Sequence, residues 1–498
     1  MNPFARFLVV LPTIFFALFS THPLSAQEQL GMRTEKFAGL SAAALNPAQT
    51  AFMPHPWEIN LVGIDAFFEN DYGYLSHAGV FKVLGHLDDL AQFGDTLKST
   101  DPLGDMQVGY YNDHRLIRGV FQGRITGPSA AVRIGENHVI GLVTAVRGEA
   151  SGYRLPEFLR AQRLTDRKRF IEDEVTPIVG GLLTWGEIGL HYSYLQKGDG
   201  PTFAFGITPK LLLGLEAGFA RSNTSLDFCS TQRDSMAFSR GDWELAMTTG
   251  NMHAVTDMGN SGELDMNALH PQVNGFGAGI DVGFVIAMPK YEDASEDENT
   301  WRLGVSLVDF GFIHFKRRSE DHTFVFDSLH VISSLDYAKE RDPHEILDLG
   351  GMNFYRKTEE SLQKTSFAAF LPAAVVFQFD YQVLPDFSVG SVWVQRVPFG
   401  KFAVKHVNTF SFVPRFERRW ISAAAPVSLS DWRSVRVGFS LRMGFLTVGT
   451  DNLNSYFIQQ QFTGSDVYVG IKVNGWQRSG HSYGMSGKSR RKIKCFGF

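Results

Sequence analysis

The stretch "FGAGIDVGFVIAM", residues 276–288, decides how the rest of the chain is read. Phe276, Ala278, Ile280, Val282, Phe284, Ile286 and Met288 fall on one face of an extended chain, and Gly277, Gly279, Asp281 and Gly283 fall on the other. Alternation sustained over this length is long for a strand of a soluble domain and suits a tilted strand crossing a bilayer.

Two more stretches repeat the pattern. In "TFAFGITPKLLLGLEAGF" the residues Phe203, Phe205, Ile207, Leu211, Leu213, Leu215 and Phe219 oppose Thr202, Gly206, Lys210 and Glu216. In "RVGFSLRMGF" the residues Val437, Phe439, Leu441, Met443 and Phe445 oppose Arg436, Ser440 and Arg442. A charged face opposite an apolar one is what lipid outside and a polar lumen inside require. A soluble sandwich or propeller would carry shorter strands with polar outer faces, so the pattern favours the barrel.

Weaker segments of the same kind lie near 57–68, 115–125, 128–135, 138–148, 183–195, 301–315, 372–383, 386–397, 406–416 and 466–476. The strings "TGP" (126–128), "GEN" (135–137) and "LPD" (384–386) read as hairpin turns between neighbours. Bacterial barrels have even strand numbers, so the expected count is 14, with one further strand near 446–460 or 105–112. The intervals 69–114, 149–181, 222–273 and 316–371 are too long for hairpins. Within them "LGHLDDLAQF", "FLRAQRLTDRKRFIEDE" and "DYAKERDPHEILDL" read as polar helices.

Composition agrees with export. Of 498 residues, Phe (43) outnumbers Tyr (14) and Gly reaches 49, while only 20% are charged. The opening "MNPFARFLVVLPTIFFALFSTHPLSA" has a basic start, an apolar run and a small closing residue, which marks residues 1–26 as a signal peptide. No later run of apolar residues is long enough for a membrane helix. The net charge of −5 gives no electrostatic case for nucleic acid. Cys229 and Cys495 form no metal spacing and leave a single disulfide and two free thiols equally open. No motif calls for a cofactor or a metal. "YEDASEDEN" (291–299) lacks the fixed positions of a calcium loop and reads as a solvated tip.

Residues 27–56 hold "LSAAALNPAQTAF", which is too apolar for a surface loop. Pro47 biases Asn46 away from the helical region, and the Asn46 side chain can close an Asx-type turn. With small residues at Ala42, Ala43 and Ala44, the segment reads as a plug inside a barrel that occupies 57–476, with Leu45, Asn46, Pro47 and Ala48 at its centre. A static plug and a moving gate both fit. In "EIGLHYS" the residues Glu187, His191 and Ser193 share one strand face. That face opposes the apolar one, so it points into the lumen, where a polar lining explains it better than a hydrolase does. Residues 477–498 carry six Lys and Arg and no acid, which reads as a disordered basic tail.

With these features in place, "AALNPAQTAF" followed by "WEINLVGID" resembles the start of FadL-like outer-membrane proteins. The chain is most similar to a Bacteroidota family of FadL-like barrels of unknown function, domain of unknown function 5723. Leu45–Ala48, Ile59–Leu61, Asn70–Tyr72, Gly444–Asn452 and Tyr468–Val473 carry the likeness. The resemblance implies a 14-stranded barrel in the outer membrane, surrounded by its lipid, with an N-terminal hatch at Leu45, Asn46, Pro47 and Ala48. It implies either a channel for hydrophobic or small amphipathic molecules or an adaptor that contacts envelope proteins, as in type IX secretion. The long polar insertions set this chain apart from the transport members.

Overall fold

In the computed structural model, the apolar faces of these segments close into one antiparallel wall. The structure describes residues 28–475 except 72, 86–106, 111–116, 156–171, 176–178, 198–199, 223–225, 233–234, 250–271, 290–298, 327–329, 334–360 and 458–460. Fourteen wall strands follow one another around the barrel. They are β1 (Trp57–Asn70), β2 (Ile117–Thr126 and Ser129–Ile134), β3 (His138–Leu155), β4 (Glu172–Val175 and Val179–Gln196) and β5 (Thr202–Arg221 and Leu226–Gln232). Next come β6 (Ser235–Thr248 and Gly275–Pro289), β7 (Asn299–Phe315, Ser319–Phe326 and His330–Ser333) and β8 (Leu362–Lys364, Phe367–Phe370 and Ala374–Leu384). The last are β9 (Phe387–Arg396), β10 (Thr409–Glu417), β11 (Ile421–Ala424 and Val427–Ser430), β12 (Ser434–Val437 and Phe439–Met443), β13 (Leu446–Thr450) and β14 (Gly464–Asn474). Pairing of Ile64 with Val469 and of Glu58 with Asn474 joins β1 to β14 and closes the wall.

The outward face is what lipid demands. Phe276, Phe284, Phe205, Leu211, Phe377 and Phe410 are exposed, while Asp281, Gly283, Lys210 and Thr208 are buried within. Cross-strand aromatic pairs such as Phe377 with Trp393 (5.3 Å) knit that outer surface. No helix among the described residues is long and apolar enough to cross a membrane.

Several sequence expectations need correction. "TGP" is not a turn: Asn60 pairs with Ser129 and Gly63 with Thr126 in one unbroken register, so the two segments form the single strand β2. Pro128 has no N–H to give the ladder, and the gap in pairing imitates a turn. Merging two segments leaves room for both β13, near the expected 446–460, and β11, which was not foreseen. Pro426 and the small residues of "ISAAAPVSLS" had hidden β11. Residues Gln107–Tyr110 do form a strand, but it pairs with Gly73–Ser76 in a small sheet outside the wall.

The long intervals contain much of the wall. Residues Ser235–Thr248 and Ser319–Phe326 continue strands beyond the apolar band, pairing with each other from Gly241 with Phe326 to Thr248 with Ser319. Of the expected helix over 158–174, the described end belongs to Glu172–Val175, a strand paired with β5. The rest of it and the helix expected over 336–349 lie outside the described residues. For "LGHLDDLAQF" only its first two residues are described, at the end of the helix Val80–Gly85. Phe219, read as lipid-facing, is buried at 4% exposure. A bulge opposite Thr184 and Trp185 leaves Leu215 unpaired and turns Ala217 and Phe219 inward.

All the longer connections leave one end of the wall. At the other end β2 is joined to β3, β4 to β5, β6 to β7, β8 to β9, β10 to β11 and β12 to β13, and there the chain enters β1 and leaves β14.

Candidate functional site

The lumen is occupied by the chain's own N-terminal segment. From Glu28, near the long-connection end, it descends through the short helix Leu30–Arg33, then crosses the barrel in two 3-10 turns, Gly39–Ala44 and Pro47–Phe52. Asn46 lies between the turns in extended conformation (φ −156°, ψ 109°) and its side chain accepts a hydrogen bond from the Ala48 N–H at 2.9 Å. Pro47 sits at the first helical position, where a missing N–H costs nothing. Leu45, Asn46, Pro47 and Ala48 are all buried. Ser306 Oγ of β7 donates to the Leu45 carbonyl at 2.5 Å.

The wall makes room for this turn. Gly206 of β5 and Gly283 of β6 are paired beneath Asn46 and Pro47, with Gly304 of β7 two positions along, opposite Val285. A Cβ at Gly206 would run into Pro47 backbone, and at Gly283 or Gly304 into the Asn46 side chain. The sequence offers these glycines at distant positions, and only the register brings them together.

His191 and Ser193 meet the same plug. Thr50 Oγ1 lies 2.6 Å from His191 Nε2 and 2.7 Å from Ser193 Oγ, and donates to the Pro47 carbonyl at 2.8 Å. The other ring nitrogen of His191 faces Thr208 Oγ1 at 2.9 Å, where a catalytic base would need a carboxylate. Glu187, the third member of the motif, is engaged elsewhere: it pairs with Arg124 at 2.7 Å and Arg147 at 3.4 Å. The cluster therefore holds the plug by hydroxyl and imidazole contacts.

Above the plug a layer of ion pairs spans the lumen. Arg147 bonds Asp309 at 2.7 Å and Glu149 at 2.6 Å, and Lys210 meets Asp281 at 2.7 Å and Asp309 at 2.8 Å. Asp309 reaches this layer through a bulge: its φ is 54°, it pairs with no residue of β6, and its N–H donates to Asp281 Oδ1 at 2.7 Å. Arg33 of the descending arm joins through Asp65 at 3.8 Å. Buried charges at this density persist because each has opposite charge and hydrogen bonds around it.

Higher still, the lumen turns apolar. Trp185, Leu212, Phe219, Phe315, Phe367 and Phe402 belong to one buried cluster on the β4, β5, β7 and β8 walls and the segment after β9. Arg147 stacks under it, 4.7 Å from the Trp185 ring. Among the described residues no group of three or more His, Cys, Asp or Glu could hold a metal ion.

Two comparisons with known proteins return matches. A family description, family of unknown function DUF5723, matches residues 51–451. None of the curated proteins matches the chain in sequence. The solved structures that the chain matches include the Ralstonia pickettii toluene transporter TbuX, at 7% identity and a TM-score of 0.38, covering 92% of this chain and 96% of that one. The Pseudomonas putida toluene transporter TodX follows at 9% and 0.37, covering 90% and 98%. A Pseudomonas aeruginosa FadL homologue matches at 10% and 0.28, covering 91% and 98%. The strand pairings themselves carry the fold.

Proposed function

The chain belongs to the family of unknown function DUF5723, and on that premise we propose that it is a plugged outer-membrane channel for hydrophobic or small amphipathic molecules. The carrying observation is the apolar cluster around Phe219, Phe315, Phe367 and Phe402 inside the barrel. Barrel interiors of this kind are ordinarily polar, so aromatic side chains there need a reason beyond lining water. The short turns, with the entry to β1 and the exit from β14, then face the periplasm, and the long connections face outward. Leu45, Asn46, Pro47 and Ala48 form the hatch, seated on wall glycines and neutral polar contacts between flanks that Glu58, Lys472 and Arg133 of the wall hold.

Reconstitution into vesicles tests this. Deleting residues 40–52 should raise the flux of a small apolar solute by roughly tenfold or more, and Phe367→Asn in that background should lower it again. A deletion variant that folds and passes no solute would sink the channel reading.

A second reading, an adaptor of an envelope machine such as type IX secretion, draws support from the ion-pair layer that ties the wall strands across the lumen. Phe81 and Phe457, exposed at 71% and 76% in the outer small helices, would serve such contacts. Purification from native membranes with mass spectrometry separates the two. Bound amphiphile supports the channel, and a stoichiometric protein partner without it supports the adaptor.

A further inference from the structure

The N-terminal plug is not alone in the lumen. The segment 401–408, between β9 and β10, folds inward from the opposite end. Phe402 and Ala403 pair in parallel with Ala369 and Phe370 of β8, and Val404 joins the apolar cluster. The next residues reach the far wall: the Lys405 N–H donates to Ser151 Oγ of β3 at 2.8 Å, and Val407 packs with Phe67 of β1 and Val120 of β2. Strand β10 pairs with β9 and β11, so contacts with β1, β2 and β3 require the segment to cross the lumen.

The two plugs are joined by an ion pair. His406 Nε2 lies 3.0 Å from Glu28 Oε1, and His406 Nδ1 lies 2.8 Å from the Val407 carbonyl. With an oxygen acceptor at each ring nitrogen, both nitrogens carry protons and the ring is an imidazolium. Burial opposes that charge, yet the Glu28 carboxylate, with Glu149 behind it, raises the imidazole to about 9. Burial likewise works against Glu28, and Asp309 adds to it, but His406 and Arg33 hold the carboxyl below its usual range.

We propose that the Glu28–His406 pair is a latch between the two plugs, so that neither the N-terminal segment nor the 401–408 segment leaves the lumen while the other stays. Its purpose rests on the channel reading, but its existence does not. In the intact chain the release of either barrier then acts on the other, which makes the pair the coupling element between them.

Hydrogen exchange on the full chain in lipid vesicles tests the latch apart from any flux. Glu28→Gln and His406→Ala should each speed exchange in both 39–52 and 401–408, by roughly tenfold. The exchanged pair Glu28→His with His406→Glu should restore part of the protection. A single variant that loosens only the segment carrying it would overturn the latch, as would no change in either. Should a variant fail to fold, the wild-type protein gives the same answer by titration. A raised histidine stabilises fully below its ordinary value near 6.5 and loses that contribution as pH rises through about 9. Corrected for intrinsic exchange, both segments should loosen with one shared midpoint in that window. Two separate midpoints, or none, would overturn the proposal. Failure of the 40–52 deletion to pass solute would leave this result standing and remove only the channel.

Discussion

Two layers of the lumen are built on opposite physical terms. The crossing part of the N-terminal segment, residues 37–56, contains no Asp, Glu, Lys or Arg of its own. Its centre, around Asn46 and Thr50, is held by hydroxyls, backbone carbonyls and glycine seats, while Lys472, Glu58 and Arg133 of the wall bond its two flanks at Phe37–Leu40 and Ala51–Met53. The layer just above is made of full charges belonging mainly to the wall: Arg147, Glu149, Glu187, Lys210, Asp281 and Asp309. Exchanging a neutral hydrogen bond for one to water costs little, because water satisfies the same donor or acceptor. A charge stripped of its partner inside a barrel costs far more. The centre of the lower layer is thus held more loosely than the upper layer, although charged wall residues grip its flanks.

The largest expected effect follows from the upper layer. Arg147→Ala would leave Asp309 with Lys210 alone and Glu149 without its hydrogen-bonded cation. Breaking a buried pair from one side costs about 3–5 kcal/mol. The variant should melt well below the wild type in detergent, read by heat-dependent gel migration and loss of β circular dichroism. An unchanged melting profile would mean that the layer is already hydrated and not the wall's fixed tie.

How much of this could be read in advance depends on which solvent each face meets. Lipid enforces a strict rule, so the outward faces of 276–288 and 436–445 were legible residue by residue. Beyond the membrane both faces meet water or protein, the rule lapses, and strands such as Ser235–Thr248 and Ser319–Phe326 read as loop. Phe219 shows the limit within the membrane, since one bulged residue reverses every face after it. The turn at Asn46 was legible because Pro47 and the Asx geometry are local. Its seat was not, because Gly206, Gly283 and Gly304 meet only through strand register. Glu187, His191 and Ser193 were placed correctly on the lumen side, but nothing local announces Thr50 as their partner. The Glu28–His406 pair, formed between distant parts of the chain, left no trace in either neighbourhood.

The glycine seat gives the next test. Gly283→Val would place a branched side chain where the Asn46 amide now lies, and the barrel strand around it has every reason to accept valine. The barrel should therefore fold normally while the plug is lifted. Protease applied from the short-turn side should cut within 37–56 in the variant and spare the wild type. If the plug stays protected and the melting profile falls instead, the seat is part of the wall's own packing, and the lower layer is as fixed as the upper.

The smallest effect separates holding from chemistry at His191 and Ser193. Thr50→Val removes the hydroxyl that both side chains meet, and should expose 47–52 to exchange by a few-fold, in line with about 1 kcal/mol for a neutral buried hydrogen bond. Ser193→Ala leaves Thr50 with His191 and the Pro47 carbonyl, so its effect should be smaller still. The order matters more than the sizes: a seat that works by satisfying Thr50 is hurt most by losing Thr50. If Ser193→Ala proves the more damaging and an esterase activity disappears with it, the hydroxyl is a nucleophile, and the lower layer is a reaction site that the plug covers.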